Sequence, residues 1–275
     1  MSRRATARVR VPFVGLATML MLSWGCSTKM SQPPAGHVLL SPASTPVAPT
    51  GPVPLLTAGA GGATREAVFG HSVQGRSLIV RSRGPADARR RILVVGCVHG
   101  DEAAGVDLAL SALSQAPPTG TELVVVSDTN PDGHAARTRQ NAHGVDLNRN
   151  FPYQWRSLGH RGDQQYAGPR PLSEPESAAM AALIRQVRPT ASVWFHQPVD
   201  VVDLSGGTAS VERRFATVSG LALRQLSRYP GSAVGWQNVT WPGTTAFVVE
   251  LPRPVPASVQ RAVRSAIVNV ESLQP

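Results

Sequence analysis

Predominantly apolar stretches recur along the chain at residues 92–98, 122–127, 191–195 and 246–249. A half-exposed strand alternates apolar and polar positions, so continuous runs of this length predict strands covered on both faces. Residues 77–82, following a turn at Gly75, predict a further strand. Between these runs the apolar spacing changes to that of helices, over residues 103–114, 174–187 and 255–270. The second helix is opened by Ser173 with Glu176 three residues on, the spacing of a capping box. The third carries Pro256 in its first turn, where the missing N–H is tolerated. Strands alternating with helices predict one α/β domain, a three-layer α/β/α stack around a mostly parallel sheet. No internal repeat is visible.

The first 64 residues follow a different pattern. Arginines at positions 3, 4, 8 and 10 precede an apolar run over residues 11–22, then Gly25 and Cys26. The run is too short to span a bilayer comfortably and predicts an export signal over residues 1–25. Cys26 stands where a bacterial lipoprotein would carry its lipid, although Ser23 and Trp24 depart from the usual processing site. The expectation is a membrane-anchored lipoprotein, with a secreted or periplasmic protein as the alternative. Residues 26–64 hold Pro33, Pro34, Pro42, Pro46, Pro49, Pro52 and Pro54. This composition predicts a disordered linker spanning roughly 35 Å as a flexible coil. The catalytic domain is then expected over residues 65–275.

Charge and cysteine usage narrow the partners. The 275-residue chain carries a formal charge of +10, and Lys29 is its sole lysine. Without residues 1–25 the excess falls to about +6. An arginine excess concentrated outside the folded part points to no nucleic-acid partner. The two cysteines are Cys26 and Cys97. With Cys26 lipidated no internal disulfide can form, and Cys97, inside an apolar run, reads as a buried inert thiol.

Several polar residues fall just beyond the ends of the expected strands. His99 and Glu102 follow the first run, Asn130 follows the second, His196 ends the next, and Glu250 follows the last. Open α/β sheets collect ligands at the carboxyl ends of their strands. Two imidazoles and one carboxylate are the ligand set of a catalytic zinc site with one open position. His99, Glu102 and His196 are therefore expected to bind one Zn2+ per chain, with Gly100 permitting a tight turn between the first two. Hydrolysis also needs a base near the attacking water and a cation near the developing oxyanion. Glu250, an acid at the end of a buried strand, is the candidate base. Arg139 and Arg149 are candidates for anionic groups, since an arginine fork holds a carboxylate through two parallel bonds.

The sequence from residue 66 onward resembles the carboxypeptidase A-like zinc metallocarboxypeptidases. The resemblance rests on His99-x-x-Glu102, Asn130-Pro-Asp-Gly133, Arg139-x-Asn141 and Gly144-Val-Asp-Leu-Asn148-Arg149-Asn-Phe-Pro152. Ser173-Glu-Pro-Glu176, His196 and Val249-Glu250-Leu251 continue it in the same order. It implies a mixed sheet of eight strands between helices. It also implies zinc ligation by His99, Glu102 and His196, and Glu250 as general base and later proton donor. Arg139 would stabilise the oxyanion, and Asn148 and Arg149 would hold a substrate carboxylate. His196-Gln-Pro198, Tyr229-Pro-Gly-Ser232, Trp236 and Glu250-Leu-Pro252 resemble the bacterial murein peptide amidases. That branch cuts the bond between γ-D-glutamate and meso-diaminopimelate, which implies a murein-derived peptide as substrate.

Tyr229 does not keep the spacing of the mobile tyrosine of carboxypeptidases and is expected as a substrate contact. Asp200 and Asp203 follow His196 closely and read first as solvated loop acids, with contact to a substrate amine as the alternative. Tyr153, Trp155 and Tyr166 are either a pocket rim or loop packing. Two other functions fit the same residues: a deacylase of N-acyl amino acids, and a lipid-anchored protein that binds wall peptides without cutting them.

Overall fold

The computed structural model describes residues 62–270. The expected export signal, Cys26 and nearly all of the linker lie outside the described residues. The strands are β1 (Arg65–His71), β2 (Ser77–Arg83), β3 (Arg90–Val95), β4 (Thr121–Val126), β5 (Ala191–His196), β6 (Val201–Asp203), β7 (Ala222–Arg224) and β8 (Thr245–Glu250). The helices are α1 (Ala104–Ala112), α2 (Pro131–Ala136), α3 (Pro175–Val187), α4 (Ala209–Ser219), α5 (Ala233–Thr240) and α6 (Ala257–Asn269). A 3-10 turn spans Leu147–Arg149.

All eight strands join one mixed sheet in the order β1-β2-β4-β3-β5-β8-β6-β7. The central pairs β3–β4, β3–β5 and β5–β8 are parallel, as is β6–β7, while β1–β2, β2–β4 and β6–β8 are antiparallel. The centres of the inner strands are mainly apolar because both faces are covered. Ile92, Val94, Leu123, Val125, Val193, Phe195, Phe247 and Val249 pack with α1, α4 and α6 on one side. Leu93, Val95, Val124, Val126, Trp194 and Ala246 pack with α3 and α5 on the other. Successive side chains on a strand point to opposite faces. His196 and Glu250 are register partners at the ends of β5 and β8, so they leave the sheet on the same side.

The structure corrects several local readings. β3 ends at Val95, and residues 96–103 form the turns that carry His99 and Glu102. The capping box does not form: Glu174 is the N-cap of α3 and makes no side-chain cap. Glu176 instead accepts from the Val73 amide and the Asn141 side chain, tying α3 to the loop before β2 and to the loop before the 3-10 turn. Asp203 is no loop acid but a buried residue of β6, whereas Asp200 is exposed. Strands β6 and β7, three residues each, are too short to show a period. Helix α5 contains Gly235 and is capped by Ser232, whose hydroxyl accepts from the Gly235 amide.

Packing alone stabilises the described core, since its one cysteine, Cys97, is free and buried. Burial, and then the carboxylate of Asp128, push the Cys97 thiol well above its usual range, as an inert thiol requires. Phe215 on α4 meets Phe247 on β8 edge to face, with ring centroids 5.1 Å apart. Truncating Phe215 to alanine removes this contact and leaves a cavity, so F215A should destabilise the fold by about 3–5 kcal/mol. Equilibrium denaturant unfolding of the full chain measures this directly.

Candidate metal centre and its cavity

Three donor atoms meet at the carboxyl ends of the central strands. His99 Nδ1 lies 2.9 Å from Glu102 Oε2. His196 Nδ1 lies 3.0 Å from the same oxygen and 3.1 Å from His99 Nδ1. All three residues are buried. Donors arranged tetrahedrally around zinc at their normal bond lengths stand about 3.3 Å apart, so this triangle is close to the face such an ion requires. The protonation pattern agrees. His99 Nε2 lies 3.1 Å from Asp146 Oδ1; donating there leaves a bare lone pair on Nδ1, aimed at a carboxylate and another imidazole nitrogen. Lone pairs converging in a buried place need a cation between them, and the donor set fits zinc.

The groups behind the triangle hold it in place. Asp146 caps the 3-10 turn by accepting from the Asn148 amide, and its other oxygen accepts from Arg139 Nε at 3.0 Å. Burial alone would raise the Asp146 pKa, but His99 and then Arg139 and Arg149 hold it well below the usual carboxylate range. Arg139 Nη1 donates to Glu102 Oε1 at 3.2 Å, so one guanidinium spans the ligand Glu102 and the carboxylate behind His99. The Gln197 amide also donates to Glu102 Oε2. Asn130 binds the two halves together: its side chain caps α2 through the Gly133 amide and donates to the carbonyls of Val98 and Arg139. Gly100 has no left-handed φ. A Cβ there would lie 2.0 Å from the Gly133 carbonyl carbon, so glycine is required for backbone approach rather than for a tight turn.

The triangle opens onto a cavity of about 280 Å3. Arg139, Asn148, Arg149, Tyr229 and Glu250 all line it. Glu250 Oε2 is buried without a hydrogen-bond partner. Burial raises the Glu250 pKa, the histidines beside it oppose the rise, and Glu102 adds to it. Asn148 Oδ1 accepts from the Ala233 amide at the start of α5. Arg149 is almost fully buried, its Nη1 donates to the Asn148 carbonyl, and its Nε has no partner. The guanidinium lies 4.2 Å from the centroid of the Tyr229 ring. Gly231, two residues on, has φ +77° and packs so closely that a Cβ would sit 1.9 Å from the Arg149 carbonyl oxygen. This contact sets the Tyr229 loop on Arg149. Tyr153 and Trp155 line no part of the cavity: the Tyr153 carbonyl accepts from the Gly231 amide, and the Trp155 indole donates to the Ala167 carbonyl. Tyr166 is likewise outside it.

Two residues at the site, Asp146 and Arg228, carry no expected role in the sequence, and Asp203 reads there first as a surface acid. Asp146 sat in view between Gly144 and Asn148, but the spacing alone does not reveal that it orients His99. Asp203 and Arg228 also line the cavity, as an ion pair. Asp203 looked like a surface acid because β6 is so short.

A second set of donors, Cys97, Asp128 and His134, also comes together within 4.8 Å. These groups satisfy one another: His134 Nδ1 lies 2.7 Å from Asp128 Oδ2, and the thiol is held protonated. The full chain should therefore bind one equivalent of zinc. Titration against a chromogenic chelator should show that equivalent retained in C97S and lost in H196A. D146N, which frees the ring of His99, should weaken it roughly 10–100-fold.

Comparison with known proteins agrees with this geometry. Murein peptide amidase A of Escherichia coli K12 is 36% identical over 146 residues, covering 49% of this chain and 60% of that protein. Gamma-D-glutamyl-L-diamino acid endopeptidase 1 of Lysinibacillus sphaericus is 27% identical over 194 residues, 64% of this chain and 47% of that one. The matched region thus spans less than two thirds of either relative. Among solved structures, murein-tripeptide amidase from Escherichia coli O157 superposes with a TM-score of 0.58 at 29% identity. It covers 80% of this chain and 94% of that one. The zinc carboxypeptidase family model matches residues 60–210. With that match over more than half its length and the donor set of His99, Glu102 and His196 at its centre, the chain belongs to the zinc carboxypeptidase family.

Proposed function

We propose that this protein hydrolyses an amide bond near the carboxyl end of a murein-derived peptide, with γ-D-glutamyl-diaminopimelate as the scissile linkage. The observation that carries this reading is Glu250, which lines the same cavity as the donor triangle and Arg149 and keeps one carboxylate oxygen, Oε2, buried without a hydrogen-bond partner. A buried carboxylate oxygen left unpaired is costly unless it has a task. The names of the amidase and endopeptidase relatives support the choice of substrate. None of the relatives described favours the deacylase reading.

Each residue has a role that follows from its position. Asn148 and Arg149 hold the carboxylate of the leaving residue, Arg149 through the N–H groups its neighbours do not use. Tyr229 covers the guanidinium and contacts the same residue. A zinc ion held by His99, Glu102 and His196 supplies Lewis-acid polarisation and acidification of water. Glu250 Oε2, its proton affinity raised by burial, takes a proton from the attacking water and delivers it to the departing amine. Arg139, tied to Glu102 and Asp146, presents positive charge to the developing oxyanion. The reading includes export and membrane anchoring through Cys26, supported by the arginines, the apolar run and Gly25 that precede it.

Incubating the full chain with L-alanyl-γ-D-glutamyl-meso-diaminopimelate should release free diaminopimelate, detected by mass spectrometry. A chelator should abolish release and zinc should restore it. E250Q should lower kcat/KM by roughly 10²–10⁴-fold while still binding one equivalent of zinc. Near-normal turnover by that variant would remove Glu250 as the base.

A further inference from the structure

The cavity is also lined by a second charged cluster, Asp203 and Arg228, outside the donor triangle. Asp203 on β6 is buried, and Arg228 reaches it from the loop after β7, Nη1 to Oδ2 at 3.3 Å. Leu226 and Ser227 lie between them on the cavity wall. Asp203 is fixed from several directions. Its Oδ1 accepts from the Leu226 amide at 2.7 Å and its Oδ2 from Ser205 Oγ at 2.6 Å. Ser205 Oγ in turn accepts from the Val248 amide of β8, two residues before Glu250. The guanidinium of Arg228 is held by Asp203 and by the Leu204 carbonyl.

A carboxylate offers about four acceptor positions and a guanidinium five donors. Three of those on Asp203 and two of those on Arg228 are taken by the bonds just named. The remaining acceptor and donors belong to side chains that line the cavity. A ligand group seated here meets one negative and one positive charge at hydrogen-bonding range of each other. An aliphatic side chain would desolvate both charges with no return. A lone ammonium would pair with Asp203 but face Arg228 as a like charge.

We propose that Asp203 and Arg228 form a subsite for an amino acid head group, an ammonium and a carboxylate on one carbon, at the distal end of the leaving residue's side chain. Asp203 takes the ammonium and Arg228 the carboxylate, while Arg149 takes the carboxylate at the near end. The preferred leaving residue is therefore a diamino dicarboxylic acid rather than lysine or a neutral amino acid. This inference rests on the peptide-hydrolase reading of the site and adds to it the residues that set the choice of substrate.

The test compares two tripeptides, L-alanyl-γ-D-glutamyl-meso-diaminopimelate and its L-lysine counterpart, with the zinc-loaded full chain. A site built to hydrogen-bond a polar group rejects an analogue lacking it far more strongly than a hydrophobic pocket discriminates. The wild-type kcat/KM should favour the diaminopimelate peptide by at least about 10²-fold. R228Q should lower that ratio by roughly tenfold or more, with R228K, which keeps charge but loses the fork, in between. D203N should also lower the ratio. Equilibrium binding of free meso-diaminopimelate and free L-lysine should show the same order without turnover. Equal wild-type rates on both peptides, or equal losses on both in R228Q, would overturn the subsite. Hydrolysis of neither peptide would overturn the peptidase reading, and the binding comparison would then decide the subsite alone.

Discussion

The organising constraint in this molecule is electrostatic: three lone-pair donors are held about 3 Å apart where water hardly reaches. Left to themselves, a carboxylate and two imidazole nitrogens would separate or gather protons. The fold prevents separation by placing them on two neighbouring supports at the strand ends. His99 and Glu102 sit on the turns between β3 and α1, and His196 is the last residue of β5. Glu102 illustrates the balance. Burial alone would raise its pKa, yet the two histidines pull it far below the usual range, so the carboxylate is ionised and ready to ligate.

The surrounding structure follows from that requirement. Parallel pairing of β3, β5 and β8 brings three strand ends to one edge of the sheet, and parallel strands need helical crossovers that cover both faces. Covered faces explain why the strand centres are mainly apolar on both sides. They also explain why polar residues at the strand tips are so conspicuous. Behind the tips, Asp146 and Arg139 neutralise one another while each touches a ligand residue. Such backing groups fix the ring orientation and basicity of metal-binding histidines.

The cavity divides its labour by charge. One wall gathers the donor triangle and Glu250, whose carboxylate is kept hungry for a proton by burial. A second wall offers the buried arginine under Tyr229. The Asp203–Arg228 pair, also on its lining, is wired through Ser205 to the strand that carries Glu250. These two parts of the cavity are thus linked through the backbone of β8. Precision of that kind depends on supports whose own geometry is locked.

The chain by itself revealed the strands β2, β3, β4, β5 and β8, the helices α1, α3 and α6, and the zinc donors. A buried strand writes its burial into every residue, and a His or Glu at its end breaks that pattern visibly. The sequence did not reveal β6 and β7, each three residues long, or the failure of Ser173 and Glu176 to cap α3. Glu176 was legible as a helix-start residue, but tertiary contacts with Val73 and Asn141 claimed it. Asp146 and Asp203 show the same limit. Their roles depend on which distant group stands opposite, His99 in one case and Arg228 in the other. Local pattern encodes burial and backbone preference because those act between near neighbours in the chain. Pairings across 47 residues, like that of His99 with Asp146, exist only once the sheet has brought the partners together.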